Sequence, residues 1–222
     1  MKRLLTATAL TLLLSACGSQ TARFSVVMDT TDPVRKDNLT AAIQRVVEGR
    51  MIAKKKTVTK QEIKEVGNDT VLTVGVSDKE AVQLLTEGLM APFSMSVMKQ
   101  VEEGQGDIIS EKYGEFKEIG IVTEHFDWVT AGTFTVNGQA KGAVGITFTT
   151  EGEVLLKDMF KKNRGAVIGI FVRGQLMSKK LIEAKDADLT SIAIDGIPST
   201  DLAAAFADDV NVGLHVIFTP LP

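Results

Sequence analysis

The sequence predicts an α+β fold, on three observations. Period-two runs and helical stripes alternate in a fixed order over roughly the first hundred residues. A second stretch is richer in short strands, and it holds one continuously apolar, β-branched run, Ala166 to Val172, of the kind found in strands buried on both faces. No βαβ repeat runs along the chain, so a simple parallel sheet is not expected.

Taken in order, Phe24, Val26 and Met28 alternate with Ser25 and Asp29 and predict a strand. Pro33 opens a helical pattern in which Leu39, Ala42, Ile43, Val46 and Val47 share a face, and Gly49 weakens its end. Lys54, Lys55 and Lys56 read as a solvated strand or turn. Two strands, Thr57 to Val66 and Val71 to Val76, are joined by Gly67-Asn68-Asp69, residues that tolerate the left-handed backbone of a hairpin turn. Asp78 is an N-cap candidate for a helix through Ala81, Val82, Leu85 and Leu89, and Pro92 prevents its extension. Phe93, Met95 and Val97 restart a period of two, and Met90, Met95 and Met98 read as core filler. This β-α-β-β-α-β order is that of a split βαβ, or ferredoxin-like, unit with two helices on one face of an antiparallel sheet. The polar run from Gly104 to Glu118 is expected to be a boundary or a loop excursion.

Beyond it, Trp128 and Val129 lead into a strand Thr133 to Val136. Asn137-Gly138 then turns the chain into Ala143 to Thr149, where Val144, Ile146 and Phe148 share a face. Thr150-Glu151-Gly152-Glu153 fits a capping box, and Leu155, Leu156, Met159 and Phe160 form the stripe of the helix it starts. Asn163-Arg164-Gly165 stops that helix, and Arg173-Gly174 turns the apolar strand back into Gln175 to Met177. Ile192 to Ile194 is one more strand, and Ser199 or Thr200 caps a helix through Leu202 to Phe206. Val212, Leu214, Val216 and Phe218 then alternate as a last strand, with His215 on its outer face.

The N-terminus reads as an address. Lys2 and Arg3 precede an apolar run, Leu4 to Leu14, too short to span a bilayer, which needs about 20 apolar residues. Leu14-Ser15-Ala16-Cys17 resembles the lipobox of bacterial lipoproteins, in which residues 1–16 are a signal peptide, Cys17 is acylated and residues 17–23 form a tether. Cys17 is the only cysteine, and acylation would consume an otherwise unpaired thiol in an exported protein. Gly18 stands where an aspartate would retain the protein at an inner membrane. The expected location is therefore extracytoplasmic: an outer membrane if there is one, otherwise the outer leaflet of the cell membrane. Removing residues 1–16 takes away Lys2 and Arg3, so the formal charge moves from 25 − 28 = −3 to 23 − 28 = −5. A mildly acidic composition argues against nucleic acid, and against anionic lipid, as a partner.

Catalytic chemistry finds little material. The two histidines, His125 and His215, lie apart, and with no cysteine beyond Cys17 they leave no zinc set. The carboxylate pairs Glu102-Glu103, Asp186 with Asp188, and Asp208-Asp209 are expected at solvated helix ends and loops. One Trp and one Tyr give few platforms for a sugar. Phosphate-binding glycine loops are absent from the sequence, and no cofactor is expected.

The segment Gly142 to Leu181 resembles the first periplasmic domain of SecD, a membrane subunit of the protein-export machinery. Thr147-Phe148-Thr149-Thr150-Glu151-Gly152 and Asn163-Arg164-Gly165 follow that family's order of strand end, Glu-Gly helix start and Asn-x-Gly stop. Leu39 to Arg50, the glycine-turned Val66 to Val74 and Val129 to Phe134 extend the resemblance over roughly 24–218. It implies a ferredoxin-like base, residues 24–113 and 197–222, interrupted by an inserted α+β head subdomain, residues 114–196. It implies a head that contacts unfolded or translocating polypeptide. The chain departs from the family in having Arg173-Gly174 where Asp-Gly is usual, Gly213-Leu214-His215 where the family closes on Gly-x-Leu-Pro, and no following bundle of membrane helices, so proton-driven work is not carried over. The expectation is a non-catalytic lipoprotein, held to the membrane by Cys17, that binds polypeptide or an envelope protein. A scaffold that forms homo-oligomers, and a hydrolase using His125 or an aspartate pair, are the alternatives.

Overall fold

The structure, a computed structural model, describes residues 19–67 and 69–222; the signal segment, Cys17, Gly18 and Asn68 lie outside the described residues. The first sheet is built from β1 (Gln20–Met28), β2 (Val58–Val66), β3 (Asp69–Val76) and β12 (Val216–Leu221), all antiparallel, in the order β12-β1-β3-β2. Helices α1 (Pro33–Ala53) and α2 (Lys79–Met90) cover one face. Leu39 lies buried in α1, and Ile43, Val47 and Met51 pack with Phe24, Leu72, Val74 and Leu85. The helix starts follow from caps: the Asp32 carboxylate accepts from the N–H groups of Val34 and Arg35, and that of Asp78 from Ala81. Gly49 does not end α1, which continues one further turn to Ala53.

This order is the ferredoxin-like one, with its fourth place filled by the last strand of the chain. The strand after α2, β4 (Met95–Val101), was expected there from its period-two pattern. It pairs instead with β6 (Gly114–Val122) and β9 (Val167–Val172) in a second sheet, completed by β5 (Ile108–Ser110) and β10 (Gln175–Leu181) in the order β10-β9-β4-β6-β5. The reason lies in β4 itself. Met95 and Val97 enter one core and Met98 enters another, so both faces of this strand are buried and it needs a central position. A bulge opposite Val97 and Met98, with Gly120 at φ 81°, lets Phe116 face the small core with Met98 and Phe171 while Ile121 faces the large one. The segment Gly104 to Glu118 is thus not simply a loop. It forms β5 and most of β6, which a single buried apolar residue, Phe116, orients.

A third sheet, β11-β8-β7, contains β7 (Phe126–Val136), β8 (Gln139–Phe148) and β11 (Ser191–Ile197). Helix α3 (Thr150–Lys162) packs Leu156, Met159 and Phe160 into the large core between the second and third sheets. Its N-cap is Thr149, whose hydroxyl accepts from Gly152 N–H at 3.2 Å, one residue before the expected capping box. Helix α4 (Thr200–His215) is longer than expected: Val212 and Leu214 belong to it, and β12 begins only at Val216. Ala203, Ala207 and Val210, at helical spacing, are buried beneath the third sheet, while Val212 joins the core of the first. The molecule is α+β, with α4 as the element common to both cores.

Candidate functional site

Helix α1 turns a second stripe, with Arg35, Arg45 and Arg50, towards the rest of the chain. Arg35 makes a two-pronged contact with Asp127 at 2.9 and 2.8 Å and lies 4.9 Å over the Trp128 ring. Trp128 stacks on His215, whose Nε2 donates to the Asp127 carbonyl at 2.7 Å. Arg45 reaches Asp208 at 2.6 Å, and Arg50 reaches Asp209 at 2.8 Å. Asp209 also takes Arg173 from the β9–β10 turn, where Arg173 covers the Phe93 ring. Cavities of about 520 and 300 Å³ lie on either side of the Arg45–Asp208 pair, between α1 and α4. Ion pairs therefore span this junction, alongside the buried Leu39 and Ala42 of α1 and Val129 and Ala207 that face them.

These contacts also place the residues considered for catalysis. His215, expected on the outer face of the last strand, is instead the last residue of α4. Burial lowers its pKa, the bond to Asp127 offsets part of that, and Arg35 adds to the lowering. His125 is buried in a short 3₁₀ helix, Thr123–His125, where its Nδ1 accepts from Val122 N–H at 3.0 Å. Hydrogen bonding to Arg35 pulls the Asp127 carboxyl below the ordinary aspartate range. For Asp209 burial pushes upward, but Arg173 and Arg50 together bring it below that range. Asp186, expected in solvent, is buried. There burial again raises the carboxyl, and the Glu183 N–H with Lys180 at 3.1 Å brings it below. A general acid needs the opposite displacement. Among the described residues no group of three His, Cys, Asp or Glu side chains is arranged to hold a metal ion.

A different site stands out that was not singled out in the sequence. A cavity of about 230 Å³ is lined by Met177 of β10, Ile194 and Ile197 of β11, and Leu202 and Phe206 of α4. It therefore lies between β10, one of the two outer strands of the second sheet, and β11, one of the two outer strands of the third. Both strands break register at the cavity. On β10 the residue skipped between Leu176 and Ser178 is Met177; on β11 the pairing jumps from Ile194 to Ile197, with Gly196 at φ 81°. Bulges re-aim side chains and end pairing, and they recur beside functional sites. Met177 is 46% exposed and Leu202 54%. The signal in the sequence was faint: Met177 ends a short strand after Leu176, and Leu202 opens the apolar run to Ala207, so both read as ordinary parts of their elements.

No protein-family model matches the chain, and no curated protein sequence matches it. Among solved structures it is similar to one described as a membrane component SecDF that enhances protein export, at 16% identity over 90% of this chain and 98% of that one, with a TM-score of 0.48. It is similar also to SecDF in a super-membrane-facing form, at 16% identity and a TM-score of 0.48. A third is SecDF from Thermus thermophilus, described as a translocon-associated membrane protein, at 15% identity and a TM-score of 0.45. The last two matches cover 90% of this chain and 30% of theirs. All three are SecDF structures, and at TM-scores below 0.5 none of them carries an argument about this chain.

Proposed function

We propose that the chain is an extracytoplasmic lipoprotein, anchored through Cys17, that binds extended polypeptide in the cavity between β10 and β11 and performs no chemistry of its own. The observation that carries this reading is the pair of outer strands, each bulged at one apolar cavity. An outer strand offers a row of backbone N–H and C=O groups, and an extended peptide can add to it. Backbone hydrogen bonds give such binding its affinity for many sequences, and a side-chain cavity gives it a preference for apolar residues. Lys179 and Lys180 on β10 fit the same picture, since lysines on an outer strand discourage pairing between copies of the protein.

The test is binding of a permanently unfolded, fluorescently labelled polypeptide to the chain from Cys17 to Pro222, followed by anisotropy. Saturable binding is expected, weakened at least tenfold by Leu202→Asp or Met177→Asp, both at exposed positions that leave the cores intact. Binding of equal strength in these variants, or none in the parent chain, contradicts the proposal.

A further inference from the structure

The geometry points to a second surface: the end of the first sheet at which β1 begins is a basic face that rests on an anionic membrane. It depends on the reading of Cys17 as the anchor point. Gln20 pairs with Val76, and Val76 pairs with Val58, so the starts of β1 and β2 and the end of β3 lie in one row across the sheet. Helix α1 runs back along this sheet and ends beside that row: Ser77 N–H donates to Thr57 C=O at 3.2 Å, and Lys56 reaches Asp78 and Glu80 at 3.2 and 2.6 Å. The turn from α1 to β2 and the start of α2 therefore share one end of the molecule with Gln20. They carry Lys54, Lys55, Lys56 and Lys79 against Asp78 and Glu80, a local balance of 4 − 2 = +2 in a chain whose residues 17–222 sum to 23 − 28 = −5.

Both carboxylates are taken up by Lys56. Lys54, Lys55 and Lys79 are exposed and form no ion pair among the described residues, and Ile52 beside them is 65% exposed. Lys55 sits in the left-handed region at φ 57°, at the tip of the turn. The opposite end of the sheet has the other sign. Asp29, Asp32, Asp37, Glu65 and Asp69 are exposed there against Lys36 and Lys64, while Arg35 is committed to Asp127.

Distance makes this separation of charge consequential. Cys17 precedes Gln20 by three residues, which span at most about 11 Å. That is little more than one Debye length at physiological salt, about 8 Å, so screening leaves part of the field of the lipid that holds Cys17 at this end. Each lysine held near an anionic surface favours that placement about fivefold. The basic end faces the bilayer. The overall acidic composition, read from the sequence as arguing against anionic lipid, averages over this separation.

The single thiol makes a direct test possible. The chain from Cys17 to Pro222, which contains every element described above, is coupled through Cys17 to a maleimide lipid. The vesicles are either phosphatidylcholine or phosphatidylcholine with about 30% phosphatidylglycerol. Lysine acetylation rates are then read by mass spectrometry. Lys54, Lys55 and Lys79 are expected to react at least fivefold more slowly on the anionic vesicles, with Lys161 and Lys162 unchanged. Protection should vanish at about 0.5 M salt, where the Debye length falls to roughly 4 Å. Equal rates on the two vesicles, or uniform protection of all lysines, overturn the inference. Because coupling installs the anchor chemically, this result is separate from the acylation reading. That reading falls if the protein taken from cell membranes carries an unmodified Cys17.

Discussion

Asn211 does for β7 what a neighbouring strand would otherwise do. Its side-chain oxygen accepts from Val129 N–H at 2.9 Å and its amide donates to Val129 C=O at 2.7 Å, both in buried surroundings. Asn211→Ala leaves both backbone groups without partners, and a loss of about 1–3 kcal/mol is expected in urea unfolding; a loss below about 0.5 kcal/mol would show that water replaces the amide. The titrating residues set the pH response. His215 has its pKa lowered, so its contribution is complete above about pH 6.5 and is lost as the pH falls through the folded value. Asp127 and Asp209, also lowered, contribute fully above about pH 4 and lose that contribution below it. Denaturation midpoints should hold level at neutral pH, dip as the pH falls below about 6.5, and drop again below about pH 4; His215→Gln should remove the first step alone. None of these roles was legible in advance. The alternation Val212, Leu214, Val216, Phe218 carried His215 onto a strand, whereas the helical spacing Ala203, Ala207, Val210 prevails through His215 because it fills two cores at once.

At the level of elements, two glycines inside helices make opposite predictions. Gly152, in the first turn of α3, lies where an added Cβ would meet the carbonyl of His125, so this glycine sets how closely α3 approaches the 3₁₀ turn. Gly152→Ala should destabilise by about 1–3 kcal/mol, because backbone atoms must move. Gly49, in α1, faces open space, with nothing within 4 Å of the place a Cβ would take, and Gly49→Ala should stabilise by about 0.5–1 kcal/mol. Thermal unfolding of the pair measures both, and shifts of the same sign would contradict this account of the packing. Elements with strong local chemistry were legible. Asp78 and Ser199 cap the helices expected of them, and Asn137-Gly138 and Arg173-Gly174 make the expected turns with both residues at positive φ. What local chemistry does not encode is which sheet a strand joins. Met95 and Val97 look like any half-buried strand, and the burial of Met98 on the opposite face, which makes β4 central, is set by Phe116 and Phe171 on the two neighbouring strands.

In the whole molecule, an apolar base and an apolar upper layer meet through α4 and through arginine–aspartate pairs, with open cavities between α1 and α4. Exposed and half-exposed ion pairs contribute little each, about 0–1 kcal/mol. The relation between the two layers should therefore respond to salt more than either core does. The order of motifs made a ferredoxin-like sheet legible but put β4 in its fourth place, which β12 fills. The cavity between β10 and β11 was not legible, since it is made by two bulges and by residues far apart in the chain. The central claim, that this cavity receives extended polypeptide, is tested most directly by a photo-crosslinking side chain placed at Met177 in cells, compared with one at Val154, which is 64% exposed on α3 and does not line the cavity. The account predicts adducts with exported polypeptides from position 177, lost with Leu202→Asp, and few from 154. Equal adducts from both positions, or none from 177, would contradict it.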